Sequence, residues 1–481
     1  MSDELLIGVA PRETRIALVS EGRLRELTVV RDDVGTLIGN IYLGRIEKVV
    51  SGIDAAFVDC GIGRAAFLAA TDAGPRVPAA DTIPRINERV QEGQALAVQV
   101  TKDPNSDKGA RVTTRLTLPG RYLVYGPEHP GLSISRRIED ADERDRLTSL
   151  VEGWADPGGY ILRTAAAGAE IHDLETDRAA LRAEWAEIEA ANAGLTAPAL
   201  LHGDLPPVLR SLRDRLTESV DRVAIDDRVV LGEAHRYCDQ AMPGFSDRFA
   251  LHSGPEPLFD LYDLESQIDE AMMPEVRLPS GGTLVIEEIQ AMTVIDVNTA
   301  RFTGVSTHDD TVLRTNLEAA REIPWQLRLR NIGGIIVVDF IGMDSADHHE
   351  QVLAELGAAA AGDPAPMWIG GVSHLGLVEM TRKRARASLG RALSEPCPAC
   401  DGLGCVKTTR TVAFEALRAA SRDARDRPQR GLSIVAAPDV VALLEGPESG
   451  AVADIARLCA DGIELIADPG LPRDSFEIED W

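Results

Sequence analysis

The chain has 481 residues, a formal charge of -27 and a hydrophobic fraction of 44%. That length is too great for one core and predicts about three or four folding units of roughly 100 to 200 residues each. No apolar run reaches the roughly 18 residues of a membrane span, and the acid excess excludes a surface coated in positive potential, so any nucleic-acid contact must be local. The start, MSDELLIGVAPRETRIALV, has acids at Asp3 and Glu4 and no basic leader, which reads as a cytoplasmic protein. Six cysteines are too few for a disulfide framework, and three of them, Cys397, Cys400 and Cys405, crowd together in a way that points to metal.

Residues 1 to 31 alternate apolar and polar positions through LLIGVA, RIALVS and LRELTVV, predicting three short antiparallel strands with one wet face. From Gly35 to Arg115, IYLGRIEKVV, AAFVDCG, RAAFL and ALAVQVTK are separated by Gly, Pro and Asp turns, and about five such strands suit a small OB-type barrel. Residues 116 to 205 mix the strands YLVYG and YILRTAA with a helix over about 175 to 193, where AALRAEWAEIEAA repeats at helical spacing. Between 260 and 395 come a helix, a strand hairpin, a helix and a strand: LYDLESQIDEAM, TLVIEEIQAMTVIDVNT, DTVLRTNLEAAREIPWQLRLR and GGIIVVDFIGM. The second hairpin strand, the helix and the last strand form a right-handed crossover, which places two strands parallel. Pro324 inside that helix removes a hydrogen bond at a cost of about 3 kcal/mol and predicts a kink. The run TRKRARASLGR, 381 to 391, has five cations and no acid and reads as a solvated helix face. The tail from 408 is a small α/β unit with helix FEALRAASRDA, strand LSIVAA and helix VVALLEG.

Asp296 ends the strand TVID and Asp339 ends the strand IIVVD, so both carboxylates leave the carboxyl edge of a parallel sheet and converge. Ligands of open α/β sheets bind at that edge, and two carboxylates with water in the remaining positions are a common way to hold magnesium near phosphate. Asn298 shares the face of Asp296 by the period of two. The alternative is that each aspartate caps the following helix or turn.

The segments VRLPSGGTLVIEEIQAMTVIDVNTARFTG and TNLEAAREIPWQLRLRNIGGIIVVDFIGM resemble the catalytic block of the ribonuclease E/G family, closest to its ribonuclease G branch. The resemblance extends through IGNIYLGRIEKVVSGIDAAFVDCG, DKGARVTT, GRYLV, SISRRIE, ILRTA, LGLVEMTRKR and CPACDGLG. It implies a multidomain α/β (α+β) fold whose ribonuclease-H-like subdomain is split between 1–34 and 209–270. An S1-type OB RNA-binding domain at 35–115 and a 5′-sensor at 116–208 are inserted in it. A deoxyribonuclease-I-like catalytic domain at 271–393, a zinc-link at 394–407 and a small C-terminal domain at 408–481 follow. It further implies Asp296 and Asp339 as magnesium ligands, with Asn298 as catalytic companion. Phe57 and Phe67 would stack bases, with Lys102 and Lys108 near the RNA backbone; from spacing alone both phenylalanines read as barrel core. Arg163 and Thr164, with backbone near Gly120 and Val124, would form a 5′-monophosphate pocket. One departure stands out, because relatives carry a basic segment before SHLGLVEM where this chain has GDPAPMWIGG, leaving a phosphate-binding cation unaccounted for.

Cys397 and Cys400 have the knuckle spacing for two thiolates on one zinc, whereas a closed structural site takes four ligands. The resemblance implies that two subunits share the ion, giving a homodimer or homotetramer; Cys405 as a third ligand within the chain, or an inert pair, are the alternatives. His348 and His349 read as a polar helix face. The expected function is endoribonucleolytic cleavage of single-stranded, AU-rich RNA in rRNA and tRNA processing and mRNA decay. Its rivals are a catalytically inactive RNA-binding assembly factor, against which the intact Asp296, Asn298 and Asp339 count, and a zinc-bridged structural oligomer. The lack of a long Pro- and Arg-rich tail speaks against a large scaffold.

Overall fold

A computed structural model describes residues 3–31, 36–75, 84–104, 108–129, 131–299, 308–384, 386–400 and 402–481. It forms two compact units, Met1–Ala392 and Leu393–Trp481. The expected boundary between 34 and 35 lies outside the described residues.

The first unit begins with the three predicted strands, Asp3–Ala10, Glu13–Ser20 and Arg23–Arg31, paired antiparallel in sequence order. Their sheet is completed by strands from much later in the chain, Val220–Ile225 and Phe249–Leu251, both parallel to their neighbours. Leu5, Ile7, Ile16, Val223 and Ile225 bury one face of it against helices Pro207–Arg215 and Arg228–Ala241.

Between the two parts of that sheet the chain builds two further sheets. Five strands, Ile41–Val50, Ala55–Asp59, Ala66–Ala69, Ala95–Lys102 and Arg111–Thr113, close into a barrel because the first also pairs with the fourth. Ile46, Val58, Leu68, Val98 and Val112 fill it. The tight wall leaves no room at Gly44, where an added Cβ would lie 2.5 Å from Val58 Cγ1. A strand not foreseen in the sequence, Ala199–His202, adds to its edge. The next sheet, in the order Gly131–Ile134, Gly159–Leu162, Leu123–Gly126, Leu118–Pro119, packs Leu123, Tyr125, Tyr160 and Leu162 on the helix Ile171–Gly194, four residues longer at its start than the periodicity predicts.

Six strands make the last sheet of this unit, ordered Glu275–Arg277, Thr283–Glu288, Met292–Asn298, Gly334–Asp339, Leu377–Arg382, Met367–Val372. The helix His308–Leu329 forms the predicted crossover between the parallel strands Met292–Asn298 and Gly334–Asp339. It runs through Pro324 without a break, with Pro324 buried, and its Ala319, Ala320, Ile323 and Leu327 pack on Ile295, Val297, Ile336 and Val338. The basic run is not a solvated helix face. Arg382 ends a strand, is 5% exposed and pairs with Asp363 at 2.8 Å, and Arg384 and Arg386 bond Gly333 O and Thr28 Oγ1. Among the described residues only Leu389–Leu393 is helical there. In the second unit, strand Leu432–Ala436 lies between Ile463–Ala467 and Phe476–Asp480, backed by helices Thr409–Asp426, Pro438–Glu445 and Ser449–Ala456. Among the described residues no helix is long and apolar enough to cross a membrane.

Glu26, 8% exposed on the third strand, joins these layers. It accepts from Arg215 Nε at 2.5 Å and from Arg328 Nε at 2.6 Å, one from each of two helices. Burial pushes its carboxyl upward, but the two guanidinium groups outweigh that and hold it at about 2, against an ordinary 4.5. Because the folded value is depressed, the stabilisation is fully present above pH 4.5 and fades as pH falls towards 2; the difference corresponds to about 3 kcal/mol. Glu26→Gln is therefore expected to lose about 3 kcal/mol at neutral pH in urea titrations and to show a flatter acid dependence than the wild type. Parallel pH profiles for the two proteins would refute the assignment.

Candidate active site

Asp296 and Asp339 are direct register partners on adjacent parallel strands. Alternation puts Ile295, Val297, Ile336 and Val338 into the core and leaves Asp296, Asn298 and Asp339 exposed on the opposite face. With parallel strands about 4.8 Å apart, the two carboxylates stand side by side. The expectation needs one adjustment: Asp339 is the last residue of its strand, but Asp296 lies two residues inside its own, which continues to Asn298. That continuation lets Asn298 Nδ2 donate to Asp296 Oδ2 at 2.8 Å, which fixes the carboxylate. Among the described residues neither aspartate caps a helix or pairs with a cation. Residues 300 to 304, the end of the segment quoted above, lie outside the described residues.

Two neighbouring carboxylates without a counter-charge repel each other, and a divalent cation relieves that repulsion. Their oxygen donors fit magnesium, which keeps several waters and takes one or two protein carboxylates. No set of three or more His, Cys, Asp or Glu side chains suited to an ion occurs among the described residues.

On the barrel, Phe57 and Phe67 are register partners with ring centroids 6.1 Å apart, edge to face. Both are half-buried and stand outside the cluster that fills the barrel, so they are not its core. Pairing extends this row on both sides, Lys48–Phe57–Phe67–Arg111–Lys102, setting two aromatic rings between cationic side chains. Lys102 and Lys108 are exposed. Lys48 escaped the sequence reading because only strand register, which includes a shift between Ile46 and Lys48, brings it to Phe57.

Arg163 donates from Nη1 to Gly120 O at 2.5 Å and from Nη2 to Asp214 Oδ1 at 2.7 Å. Asp214 also pairs with Arg213; burial raises its carboxyl, but Arg213 and then Arg163 bring it down to about 2. The amides of Arg121, Tyr122 and Leu123 are taken by Asp177, so Gly120 contributes its carbonyl as an orienting group for Arg163. Thr164 Oγ1 lies 3.2 Å from Ser135 Oγ, and Val124 sits on the neighbouring strand. Asp214, Asp177 and Ser135 carried no local sequence signal.

In the second unit Cys397 is exposed, and the amides of Ala399 and Cys400 draw its thiol below the ordinary range. Gly404 N donates to Cys400 Sγ at 3.3 Å. The N–H donors at Cys397 favour its thiolate, the form that binds zinc. No third ligand joins the pair among the described residues, Cys405 included, and His348 and His349 belong to no metal set.

The model of the Ribonuclease E/G family matches residues 117–385. Over 486 residues the chain is 40% identical to Ribonuclease G of Salmonella typhimurium (strain SL1344), covering 99% of both proteins. Ribonuclease G of Haemophilus influenzae (strain ATCC 51907 / DSM 11121 / KW20 / Rd) is 39% identical over 484 residues, again with 99% of both covered. Ribonuclease E of Escherichia coli (strain K12) is 36% identical over 485 residues, which are 99% of this chain and 45% of that protein. With an acidic pair in register at a sheet edge and likeness along its whole length, this chain belongs to the ribonuclease E/G family.

Proposed function

We propose that this protein is a cytoplasmic endoribonuclease that cuts single-stranded, AU-rich RNA in rRNA and tRNA processing and mRNA decay. The observation that carries the reading is the pairing of Asp296 with Asp339 on an exposed sheet face, with no cationic partner among the described residues. The two carboxylates would hold magnesium, and Asn298 keeps Asp296 in place through its amide. When bound, the ion supplies positive charge to the phosphoryl oxygens and lowers the pKa of water. The second amide atom of Asn298, its oxygen, is left to orient the scissile group. Phe57 and Phe67 would stack successive bases at about 1 to 3 kcal/mol each, which requires unpaired RNA, while Lys48, Lys102 and Lys108 attract its phosphates. The inactive-binder alternative is not favoured, since it leaves the uncompensated acids and their asparagine without a purpose.

In this reading, the split first sheet is the ribonuclease-H-like subdomain and the barrel is the S1-type domain. The sheet bearing Arg163 and Thr164 is the 5′-sensor, and the six-stranded sheet is the deoxyribonuclease-I-like domain. Cys397 and Cys400 would share zinc with the same pair of a second subunit, giving a homodimer or homotetramer.

Asp296→Asn and Asp339→Asn should each lower kcat on a single-stranded RNA at least about a hundredfold while leaving its affinity near the wild-type value. EDTA should act on the wild type in the same way. An Asp296→Asn variant that still cut at the wild-type rate would remove this site from the mechanism. For the zinc, Cys397→Ser and a zinc chelator should both reduce the mass measured by sedimentation to that of one subunit. An unchanged mass in both experiments would discard the shared ion.

A further inference from the structure

Strand alternation exposes more than the acidic pair on the outer face of the six-stranded sheet. Register carries Ile335, on the strand that ends at Asp339, onto Thr381 and then onto Trp368 of the edge strand Met367–Val372. These three share the side of the sheet that bears Asp296 and Asp339, because Ile336, Val338 and Met380 between them turn into the core. Ile335 is 51% exposed and Trp368 59%, although tryptophan is on average a well-buried residue.

The indole has a defined place. Gly370 follows it at the register shift of the edge strand, and a Cβ there would lie 3.1 Å from Trp368 Cη2 and 3.1 Å from Glu379 O. The glycine leaves room for the ring to lie along its own strand. That strand runs parallel to Gly334–Asp339, so the indole leans towards the acidic end of the sheet. With strands about 4.8 Å apart and a rise of about 3.3 Å per residue, Trp368 stands on the order of 16 Å from Asp339, a span that a few nucleotides of extended RNA cover.

Charge decides what kind of contact this face can make. Asp296, Asp339 and the exposed Glu379, which pairs with Val337 on the same face, repel phosphate. A base stacked on Trp368 holds the strand without setting a phosphate over Glu379. Beyond the strand's end Lys383, exposed and with its amide on Pro366 O at 2.9 Å, offers a cation on the far side of the indole. The same acids disfavour an apolar protein or a lipid surface here, since either would bury them unpaired.

We propose that Trp368 is a base-stacking residue of the substrate path, gripping a nucleotide a short way from the bond cut at Asp296 and Asp339 and so setting the distance from the held base to the cut. The proposal rests on the reading of that pair as the nuclease centre. Trp368 binds the RNA and takes no part in bond breaking.

The test measures kcat and KM on single-stranded RNAs of one sequence, intact or made abasic at a single nucleotide whose distance from the cut is varied. The proteins are the wild type, Trp368→Ala, Trp368→Phe and Val229→Ala, the last removing an exposed apolar side chain from another element. On intact RNA, Trp368→Ala should raise KM about tenfold with kcat unchanged, Trp368→Phe should recover most of that loss, and Val229→Ala should match the wild type. One abasic position should cost the wild type about the same factor, and that position should cost Trp368→Ala nothing further. A wild-type KM for Trp368→Ala on intact RNA overturns the proposal and leaves the nuclease reading standing. A loss in Trp368→Ala that adds in full to the loss at every abasic position also overturns it, as does one accompanied by a change in sedimentation mass, which assigns the indole to contact between subunits. A wild type that cuts none of the RNAs removes the nuclease reading, and the proposal with it.

Discussion

The buried carboxylate of Glu26 is the constraint on which the first unit's arrangement depends. A charge at 8% exposure is tolerable only with partners in good geometry, and here they come from helices more than a hundred residues apart in sequence, through Arg215 and Arg328. Arg328 sits near the end of the crossover helix that connects the two aspartate strands. Fixing that helix on the first sheet therefore fixes the acidic pair relative to it. Neighbouring contacts act in the same direction: Trp325 Nε1 donates to Leu24 O at 3.0 Å, Arg23 lies 4.5 Å from the Trp325 ring centroid, and Arg23 pairs with Glu322 at 2.8 Å. Pro324 immediately before that tryptophan fits this picture, since the hydrogen bond it removes is offset by burial and by the anchoring of Trp325.

The same economy of charge runs through the site regions. With a net charge of -27, the protein has few cations to spare, and most of its arginines are committed to internal acceptors. The basic run illustrates this: Arg382 and Arg384 hold the carbonyls of Ile332 and Gly333 and Arg386 holds Thr28, so what reads in the sequence as a solvated helix face is mainly cement between the last strand and its surroundings. In the proposed reading, RNA attraction falls to a short row on the barrel, where Lys48 and Lys102 flank two aromatic rings. Such an interface gains much of its affinity from stacking, which requires unpaired bases and loses less in salt than purely ionic binding.

Much of this was legible in the sequence wherever the signal was local. Strand alternation in the first 31 residues, the crossover between TVID and IIVVD, and the acids at their ends each follow from a period and a length. The helix over 171–194 is read short because its first turn, IHDL, precedes the AALRAEWAEIEAA repeat that carries the helical signal. What stayed hidden depends on pairing at long range. Ala199–His202 is recognisable as a barrel strand only beside Ile41–Val50, and Asp214 matters only because the fold carries it to Arg163, 51 positions away. The two phenylalanines show the limit clearly. Alternation alone leaves either face available, and the choice of the outer one follows from the register that fills the barrel with Val58 and Leu68.

The carboxylates of this protein fall into two groups that separate structure from chemistry. Glu26, Asp72, Asp214 and Asp363 each meet a guanidinium and join elements of the fold. Asp296 and Asp339 do the reverse, standing next to each other with only an amide as partner among the described residues. Like charges at adjacent positions of a sheet cost stability, and strand alternation would accept a neutral residue at either place equally well. A fold that pairs those four acids with guanidinium groups and, among the described residues, leaves Asp296 and Asp339 without one keeps negative charge exposed on this sheet. An arginine paired there would occupy the oxygens that the proposed divalent cation needs.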